Sequence, residues 1–139
     1  MPKEHRELPR PTPETQHFWD GTKIGELRLQ QCNSCGNTYF PPRNFCPKCG
    51  SKDIQIINAS GKGTLHSYVI SHLPAPGFEP PYSIAIVKLD EGPKMMCNIL
   101  DCEQTPESLL LDMPLEVYFE KINEEIPLPQ FKPIGGEST

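Results

Sequence analysis

Two Cys-x-x-Cys pairs constrain this sequence more than any other feature. The four cysteines are Cys32, Cys35, Cys46 and Cys49. Each pair forms a tight turn that directs two thiolates to one side, and the following glycines, Gly36 and Gly50, permit the positive φ that such turns need. Four sulfurs that face one another suit a tetrahedral Zn²⁺ ion, with Zn–S distances of about 2.3 Å. The spacing therefore predicts a zinc site with four cysteine ligands.

Two other interpretations of these cysteines are open. They would form two disulfides in an oxidising compartment, but we expect a cytoplasmic chain, in which disulfides are rare. Iron also suits a tetrahedral site of four sulfurs, yet nothing else in the sequence indicates electron transfer, so zinc is favoured. Four protein ligands leave no open position for water, which predicts a structural rather than a catalytic metal.

The composition narrows the class of protein. The chain has 139 residues, and its net charge is −5, from 13 basic and 18 acidic residues. A nucleic-acid-binding protein normally shows a basic excess or a basic stripe. No apolar run approaches the roughly 20 residues of a membrane span, and the N-terminal segment lacks the apolar core of a signal peptide. We therefore expect a cytoplasmic protein that binds neither nucleic acid nor membrane.

Residues 1–26 are predicted to form an arm followed by a short helix. The first 11 residues are charged and proline-rich, which is typical of an extended segment. Thr12 suits the N-cap of a helix, Pro13 suits its first position, and Gly21 is expected to end it. A helix of barely two turns is marginal by itself and needs a surface to pack on.

This short helix carries two large aromatic residues, Phe18 and Trp19. They pack on the protein's own ribbon, or they anchor the helix to a partner protein, because aromatic residues are favoured anchors in interfaces. The residues alone do not decide between these two interpretations.

The rest of the chain predicts a mostly β protein. Tyr39, Phe40 and Phe45 are expected to supply the small core of the ribbon between its flanking strands. Alternating or apolar patterns predict strands at residues 27–31, 54–58, 64–73, 82–89, 94–100 and 115–120, and an extended segment at 126–131. In the third of these strands, Leu65 and Val69 are expected to share one face.

Gly61 and Gly63 mark a break in composition where a second unit begins. Four or five strands joined by a hairpin at residues 90–93 and by longer loops suit a small closed barrel, because closure removes exposed edges. We therefore expect a short N-terminal helix, a zinc ribbon and an OB-like barrel. The predicted bounds are 1–26 for the arm and helix, 27–59 for the ribbon, 60–133 for the barrel and 134–139 for a tail.

No convincing catalytic set is found in the sequence. Cys97 and Cys102 are left over from the metal site, and a cysteine nucleophile would need a base close by. His66 and His72 alternate with apolar residues, and a structural role is the simpler interpretation for both. The same holds for Cys97 and Cys102, because cysteine is often buried as a small apolar residue. The residues therefore indicate a binding or scaffold module rather than a self-sufficient enzyme.

The order of motifs along the chain resembles a known family. It runs through Phe18-Trp19, Leu27, Cys32-x-x-Cys35-Gly36, Pro41-Pro42-Arg43, Cys46-Pro47-x-Cys49-Gly50, Ser60-Gly61-x-Gly63-Thr64, Pro81-Tyr82, Leu89-Asp90-Glu91-Gly92, Met113-Pro114-Leu115-Glu116-Val117 and Phe131-x-Pro133. This order is similar to the acyl-CoA-associated zinc-ribbon/OB-fold family, long catalogued as a domain of unknown function.

The resemblance implies a rubredoxin-like zinc ribbon followed by an OB-fold barrel. It also implies a small, non-catalytic accessory subunit that forms a hetero-oligomer with a thiolase-like large subunit. Such a complex performs thiolysis, acyl transfer or retro-aldol cleavage on acyl-CoA, and the substrate lies near the interface. Phe18 and Trp19 match the segment through which the family docks on its partner, and the four cysteines match its zinc ligands.

A module that binds single-stranded nucleic acid is the alternative from a different class. Ribbons and OB barrels both bind single strands through aromatic stacking and basic grooves, and Tyr39, Phe40 and Phe45 are the aromatics available for stacking. The acidic net charge of −5 counts against this alternative, because neutralisation of phosphates supplies most of such affinity.

Overall fold

The computed structural model describes residues 8–122 and 126–134. Most of the predicted arm and nearly all of the predicted tail lie outside these residues. The described part contains one helix and eight strands: α1 (Gln16–Lys23), β1 (Arg28–Cys32), β2 (Thr38–Tyr39), β3 (Ile54–Asn58), β4 (Lys62–Ser71), β5 (Tyr82–Leu89), β6 (Lys94–Cys97), β7 (Pro114–Lys121) and β8 (Pro127–Pro133).

The strands form two antiparallel sheets, as the mostly β prediction requires. The first sheet has three strands in the order β2-β1-β3, and it holds the two cysteine pairs at one end. The second has five strands in the order β6-β5-β4-β7-β8. The predicted succession of a short helix, a ribbon and an OB-type sheet is confirmed.

The five-stranded sheet curls into a half-barrel whose two edge strands approach each other. The contact is a single parallel bridge between Phe131 of β8 and Ile99, two residues after β6, where the Leu100 N–H donates to the Phe131 carbonyl oxygen at 2.8 Å. A longer ladder is not available, because β6 has only four residues and three of the seven residues of β8 are prolines without an N–H donor. The expected closure of the barrel is therefore present at one point only.

The helix starts later than predicted. Thr12 and Thr15 form a separate turn, in which the Thr12 N–H donates to the Thr15 Oγ1 at 2.9 Å. The Thr15 side chain is thereby turned away from the helix, and Thr15 serves as an N-cap without a side-chain bond to the first helical turn. The prediction of Thr12 as N-cap and Pro13 as first helical residue was wrong for this reason.

The helix also ends later than predicted, because Gly25 rather than Gly21 stops it. Gly25 has a φ of +79°, its N–H donates to the Thr22 carbonyl, and the Glu26 N–H donates to the Gly21 carbonyl at 2.8 Å. This pair of bonds is the Schellman motif that satisfies the last carbonyls of a helix. Gly21 is needed for packing instead, since a Cβ there would lie 2.8 Å from the Arg28 side chain.

A β-bulge in β4 changes the predicted faces of that strand. Leu65 pairs with Val87, but Ser67 pairs with Ile86, so His66 is an extra residue. The extra residue reverses the alternation, as a one-residue shift does in any strand. Leu65 is consequently buried while Val69 is 61% exposed, and the expectation that they share a face was wrong.

One hydrophobic core joins the helix, the ribbon and the half-barrel. Phe18 from α1 and Leu27 and Leu29 from the ribbon belong to the same buried cluster as Leu65 and Phe131 from the half-barrel. The metal end of the ribbon has only a small second cluster, formed by Cys32, Tyr39 and Cys46 with Ile54 against it. The ribbon is thus packed on the half-barrel along one side and held by its cysteines at the other.

The junction between ribbon and half-barrel is bound to the β5–β6 hairpin. The Ser60 N–H donates to a carboxylate oxygen of Glu91 at 2.8 Å, and the Asp90 N–H donates to the Lys62 carbonyl at 2.9 Å. The hairpin turn at residues 90–93 is confirmed, but Glu91 is not simply solvated. Its carboxylate fixes the segment that connects the two sheets.

In the part of the chain that the structure describes, no helix has both the length and the apolar character needed to cross a membrane.

We predict that Gly63→Ala destabilises the half-barrel. A Cβ at this position would overlap with the Lys88 carbonyl oxygen and lie 2.9 Å from Val87, and neither neighbour is a flexible chain end. The free energy of unfolding should fall by about 1–3 kcal/mol, as for other overpacked positions. Urea denaturation of the zinc-loaded protein measures this loss, and His66→Ala, an exposed position on the same strand, should change the free energy of unfolding much less.

Candidate metal centre and apolar pocket

The two Cys-x-x-Cys pairs form two similar turns at the tip of the ribbon. In the first, the Gly36 N–H donates to the Cys32 carbonyl at 2.9 Å, and in the second the Gly50 N–H donates to the Cys46 carbonyl at 2.8 Å. Gly36 has a φ of +78° and Gly50 a φ of +81°, as predicted from their positions after each pair. Both turns therefore present their two sulfurs in the same way.

The four sulfurs lie together. The Sγ atoms of Cys32 and Cys49 are 3.6 Å apart, those of Cys35 and Cys46 are 3.7 Å apart, and all four lie within 4.8 Å of one another. A tetrahedron of sulfurs around zinc has edges of about 3.8 Å when each Zn–S bond is about 2.3 Å long. The residues thus fit the ion, and the protein has a structural zinc site with the four predicted ligands.

Backbone hydrogen bonds and the crowding of the thiols set the pKa values at this site. Burial raises the pKa of Cys46, but N–H groups of Cys49 and Lys48 outweigh it and lower the pKa to about 6. A hydrogen bond from Ser51 lowers the pKa of Cys49, but the neighbouring thiols, Cys32 first among them, raise it to about 12. Four thiolates at this spacing need a cation between them, which zinc supplies when bound.

The three aromatic residues expected to form the ribbon core differ in their burial and in what they pack against. Tyr39 is buried beside Cys32 and Cys46, as expected. Phe40 points away from the metal and packs against Phe18, with ring centroids 5.1 Å apart. Phe45 is 48% exposed, because the turn before Cys46 directs only the cysteine inward. Of the three aromatics considered for nucleic-acid stacking, only Phe45 is therefore well exposed.

The structure separates the two aromatic residues of the helix. Phe18 is buried, with 2% of its side chain exposed, in the core shared by ribbon and half-barrel. Trp19 is half-buried, and its ring meets that of Phe18 edge to face at 4.9 Å. Self-packing therefore accounts for Phe18, while Trp19 keeps part of its ring on the surface.

Trp19 belongs to the wall of an apolar pocket that sequence reasoning did not find. The pocket has a volume of about 510 Å³ and lies between α1, the segment after β2, the loop at residues 74–81 and the strands β5, β6 and β8. Its lining includes Phe18, Trp19, Phe40, Pro41, Pro42, Ala75, Phe78, Tyr82, Ile84, Met95, Met96, Cys97 and Leu128. The rings of Phe78 and Tyr82 stack at 4.9 Å and stiffen one side.

The polar residues of the pocket are bonded to the protein itself. The Gln130 side chain accepts a hydrogen bond from the Asn98 N–H at 2.6 Å and donates to Asn98 Oδ1 and Glu120 Oε1, both at 3.2 Å. The Asn98 side chain in turn donates to the Ser83 carbonyl at 2.6 Å. These bonds connect the segments of β5, β6 and β8. The two amide side chains are therefore engaged within the protein and offer little hydrogen bonding to a bound molecule.

Cys97 lines the pocket, but its thiol is not activated. Burial raises the pKa of Cys97 to about 12, against the opposing effect of a hydrogen bond with the Phe131 backbone. Burial and the adjacent Asp101 and Glu103 raise the pKa of Cys102. His66 and His72 are exposed on the half-barrel. Cys97 is therefore a protonated, buried thiol near neutral pH, as expected of a small apolar core residue.

Two family models match the chain one after the other. The model described as "ChsH2, rubredoxin-like zinc ribbon domain" matches residues 19–55, and that described as "ChsH2, C-terminal OB-fold domain" matches residues 57–120. Both agree with the fold and the metal centre described above.

Relatives with assigned names extend this match. A DUF35 domain-containing scaffold protein of Methanocaldococcus jannaschii is 40% identical over 98 residues, which is 68% of each chain. A probable enoyl-CoA hydratase alpha subunit of Thermomonospora curvata is 32% identical over 133 residues, which is 95% of this chain but 41% of that longer protein. The benzoylsuccinyl-CoA thiolase subunit BbsA of Thauera aromatica is 25% identical over 109 residues, 76% of this chain and 74% of BbsA. The protein belongs to the DUF35 family of zinc-ribbon/OB-fold scaffold proteins.

Two solved structures share the fold. The chain superposes with a TM-score of 0.80 and 31% identity on a chain of the Ltp2-ChsH2(DUF35) aldolase, covering 91% of this chain and 98% of that one. A DUF35-family protein of unknown function from Sulfolobus solfataricus superposes with a TM-score of 0.63 at 17% identity, over 87% of this chain and 85% of that one. The second likeness concerns the fold alone.

We predict that Cys46→Ser abolishes stable zinc binding. Three thiolates remain. Because the tip of the ribbon has almost no core of its own, the free energy of zinc binding supplies most of the stability of its fold. Zinc content by mass spectrometry should fall well below one ion per chain, and the Tm should drop by more than about 5 °C. Cys102→Ser is the matched control and should keep its zinc. Full zinc content and an unchanged Tm in Cys46→Ser would refute a structural site.

We predict a pH dependence that originates at His17 in α1. Burial first and the Arg28 guanidinium second lower the pKa of His17 below its ordinary value of 6.5. The unfolded chain then binds a proton more readily than the folded one, so this contribution to stability is lost as the pH falls through about 6.5. Between about pH 7.5 and 5.5, the Tm of His17→Gln should therefore decline less than that of the parent. The exposed variant His66→Gln should follow the parent.

Proposed function

We propose that this chain is a non-catalytic accessory subunit of a thiolase-like acyl-CoA complex. The observation that carries the proposal is its alignment, over 98% of that chain, with a chain of the Ltp2-ChsH2(DUF35) aldolase. The name of BbsA refers to a thiolase of a CoA ester and supports the same class of partner. The name of the Thermomonospora curvata relative refers to an enoyl-CoA hydratase and supports an acyl-CoA substrate. The chemistry of the complex is thiolysis, acyl transfer or retro-aldol cleavage.

In this proposal the chain stabilises the large subunit and borders the acyl-CoA channel, and the large subunit supplies the catalytic groups. The zinc locks the tip of the ribbon, and the shared core fixes the ribbon against the half-barrel. The protonated state of Cys97 supports a role without nucleophilic chemistry. The working units are the predicted ones: arm and helix at 1–26, ribbon at 27–59, OB fold at 60–133 and tail at 134–139.

The large subunit docks on α1 and its neighbourhood. Trp19 is half-buried, and the aromatic Phe18 beneath it holds its ring at a fixed angle. Met96, which lines the same pocket as Trp19, is 69% exposed and adds to the apolar surface beside it. A rigid aromatic ring beside exposed apolar residues is typical of the central anchor of an interface. Phe18 then acts as the support of the docking residue rather than as a contact.

The acyl-CoA channel runs along the side of the chain where the pocket opens. The loop at residues 74–81 contributes Ala75 and Phe78 to the pocket, and α1 contributes Trp19. Docking through α1 would therefore place the partner next to the pocket mouth. The complex is cytoplasmic in this proposal.

Gentle affinity purification of the tagged protein from its own cell, followed by mass spectrometry, tests the proposal. A thiolase-like protein in stoichiometric amount is the expected result. Isolation of the chain alone, or with single-stranded nucleic acid in place of such a protein, would overturn the proposal.

Trp19→Ala is expected to weaken this complex. Removal of a central aromatic anchor commonly costs 2 kcal/mol or more, so the Kd for the large subunit should rise by about 30-fold. Tyr118→Ala removes a residue that is 44% exposed on β7 and is the matched control, with an expected change of less than about threefold. Titration calorimetry on zinc-loaded proteins measures both, and equal affinities for the two variants would exclude Trp19 as the anchor.

A further inference from the structure

We propose that the pocket holds the apolar acyl group of the substrate thioester, while the nucleotide part of CoA lies outside the pocket. This inference rests on the proposed function and assigns the two halves of the substrate to different surroundings. It follows from the size of the pocket, from the chemistry of its wall and from what the wall lacks.

The size of the pocket suits a substantial acyl group. Its volume of about 510 Å³ falls within the range of roughly 300–1,000 Å³ that is typical of small-molecule sites. The wall is built from aromatic rings and methionines, with Trp19, Phe40 and Phe78 on three separate segments. Such a wall gains from contact with alkyl, alicyclic or aromatic groups and offers little to a polar one.

The wall lacks the groups that a nucleotide needs. Among the described residues that line the pocket there is no lysine, arginine or histidine, and also no carboxylate. Phosphates are held by cationic side chains or by converging N–H groups. The net charge of −5 further disfavours a polyanion. A bound CoA nucleotide would therefore lie against an unfavourable surface here.

The polar atoms of the wall do not change this conclusion. Both donor positions of the Gln130 amide are occupied, by Asn98 and by Glu120, and its oxygen accepts from the Asn98 N–H. Asn98 is bonded in turn to the Ser83 carbonyl. An occupant thus meets a mostly apolar wall whose Gln130 and Asn98 amides are already bonded within the protein.

Trp19 makes the test direct, because it is the single tryptophan of the chain and lines the pocket. The probes are decanoyl-CoA, the decanoyl thioester of N-acetylcysteamine, which lacks the nucleotide, and free CoA. Each is titrated into the isolated zinc-loaded chain while the emission of Trp19 is recorded. Octanoyl and hexanoyl thioesters of N-acetylcysteamine complete the series.

We expect both decanoyl thioesters to shift the emission with Kd values within about threefold of each other, since the nucleotide adds no contact. Free CoA should leave the emission unchanged. Each methylene removed from the acyl chain should weaken binding by about three- to fourfold. Affinity for decanoyl-CoA should change little with salt, because no phosphate is paired with a cation.

Two variants locate the binding. Ala75→Phe fills the pocket from a half-buried loop position, and Met96→Glu places a charge at its 69%-exposed edge, so both should fold and lose at least about tenfold in affinity. Val69→Phe adds similar bulk at an exposed position on β4 outside the pocket, and should bind like the parent. Retained binding in both pocket variants would overturn the inference.

The remaining outcomes separate this inference from the proposed function. If the large subunit co-purifies but no thioester shifts Trp19, the acyl pocket is refuted and the accessory role stands. If decanoyl-CoA binds while its nucleotide-free analogue does not, or free CoA displaces it, the division of the substrate is refuted. If the thioesters bind but no thiolase-like protein co-purifies, the pocket stands and the proposed function fails.

Discussion

The packing of the ribbon depends on the four cysteine thiolates and the ion that they hold. The hydrophobic cluster at the tip of the ribbon consists of Cys32, Tyr39 and Cys46. Their burial stabilises the tip too little to offset the conformational entropy lost when the two cysteine turns are ordered. The other end of the ribbon, at the start of β1, contributes Leu27 and Leu29 to the core that it shares with the half-barrel. The zinc site thereby fixes a sheet whose other end completes the main core, and α1 packs on both β1 and β8.

Much of this fold was predictable because its determinants are local in sequence. Two Cys-x-x-Cys-Gly motifs define the knuckles, and runs rich in apolar residues predict β3 and β5 with their observed ends. The errors arise where tertiary contacts decide. Gly21 is predicted to end the helix, but the Arg28 side chain and the Glu26 carbonyl oxygen, both later in the chain, leave little room for a Cβ there. The bulge at His66 has no signature in the alternation of β4, since it depends on the register with β5.

The pocket could not be predicted from the sequence, because it too depends on tertiary contacts. Its wall comes from segments as far apart as Thr15 and Gln130, and each lining residue has an ordinary local explanation. Phe40 is predicted to belong to the core of the ribbon, and a proline-rich loop such as residues 74–81 has an ordinary explanation as a connection between strands. One signal was present: that loop combines several prolines with the aromatic Phe78, a combination that suits a stiff apolar wall better than a solvated turn.

The segment with Phe40, Pro41 and Pro42 connects the two sites through the backbone. It follows β2, which pairs with β1 immediately before the first cysteine knuckle, and the Arg43 N–H donates to the buried Gln30 side chain at 2.8 Å. The same segment forms part of the pocket wall. The pocket wall and the ribbon therefore share one short stretch of backbone, so a substitution in this segment is expected to change both.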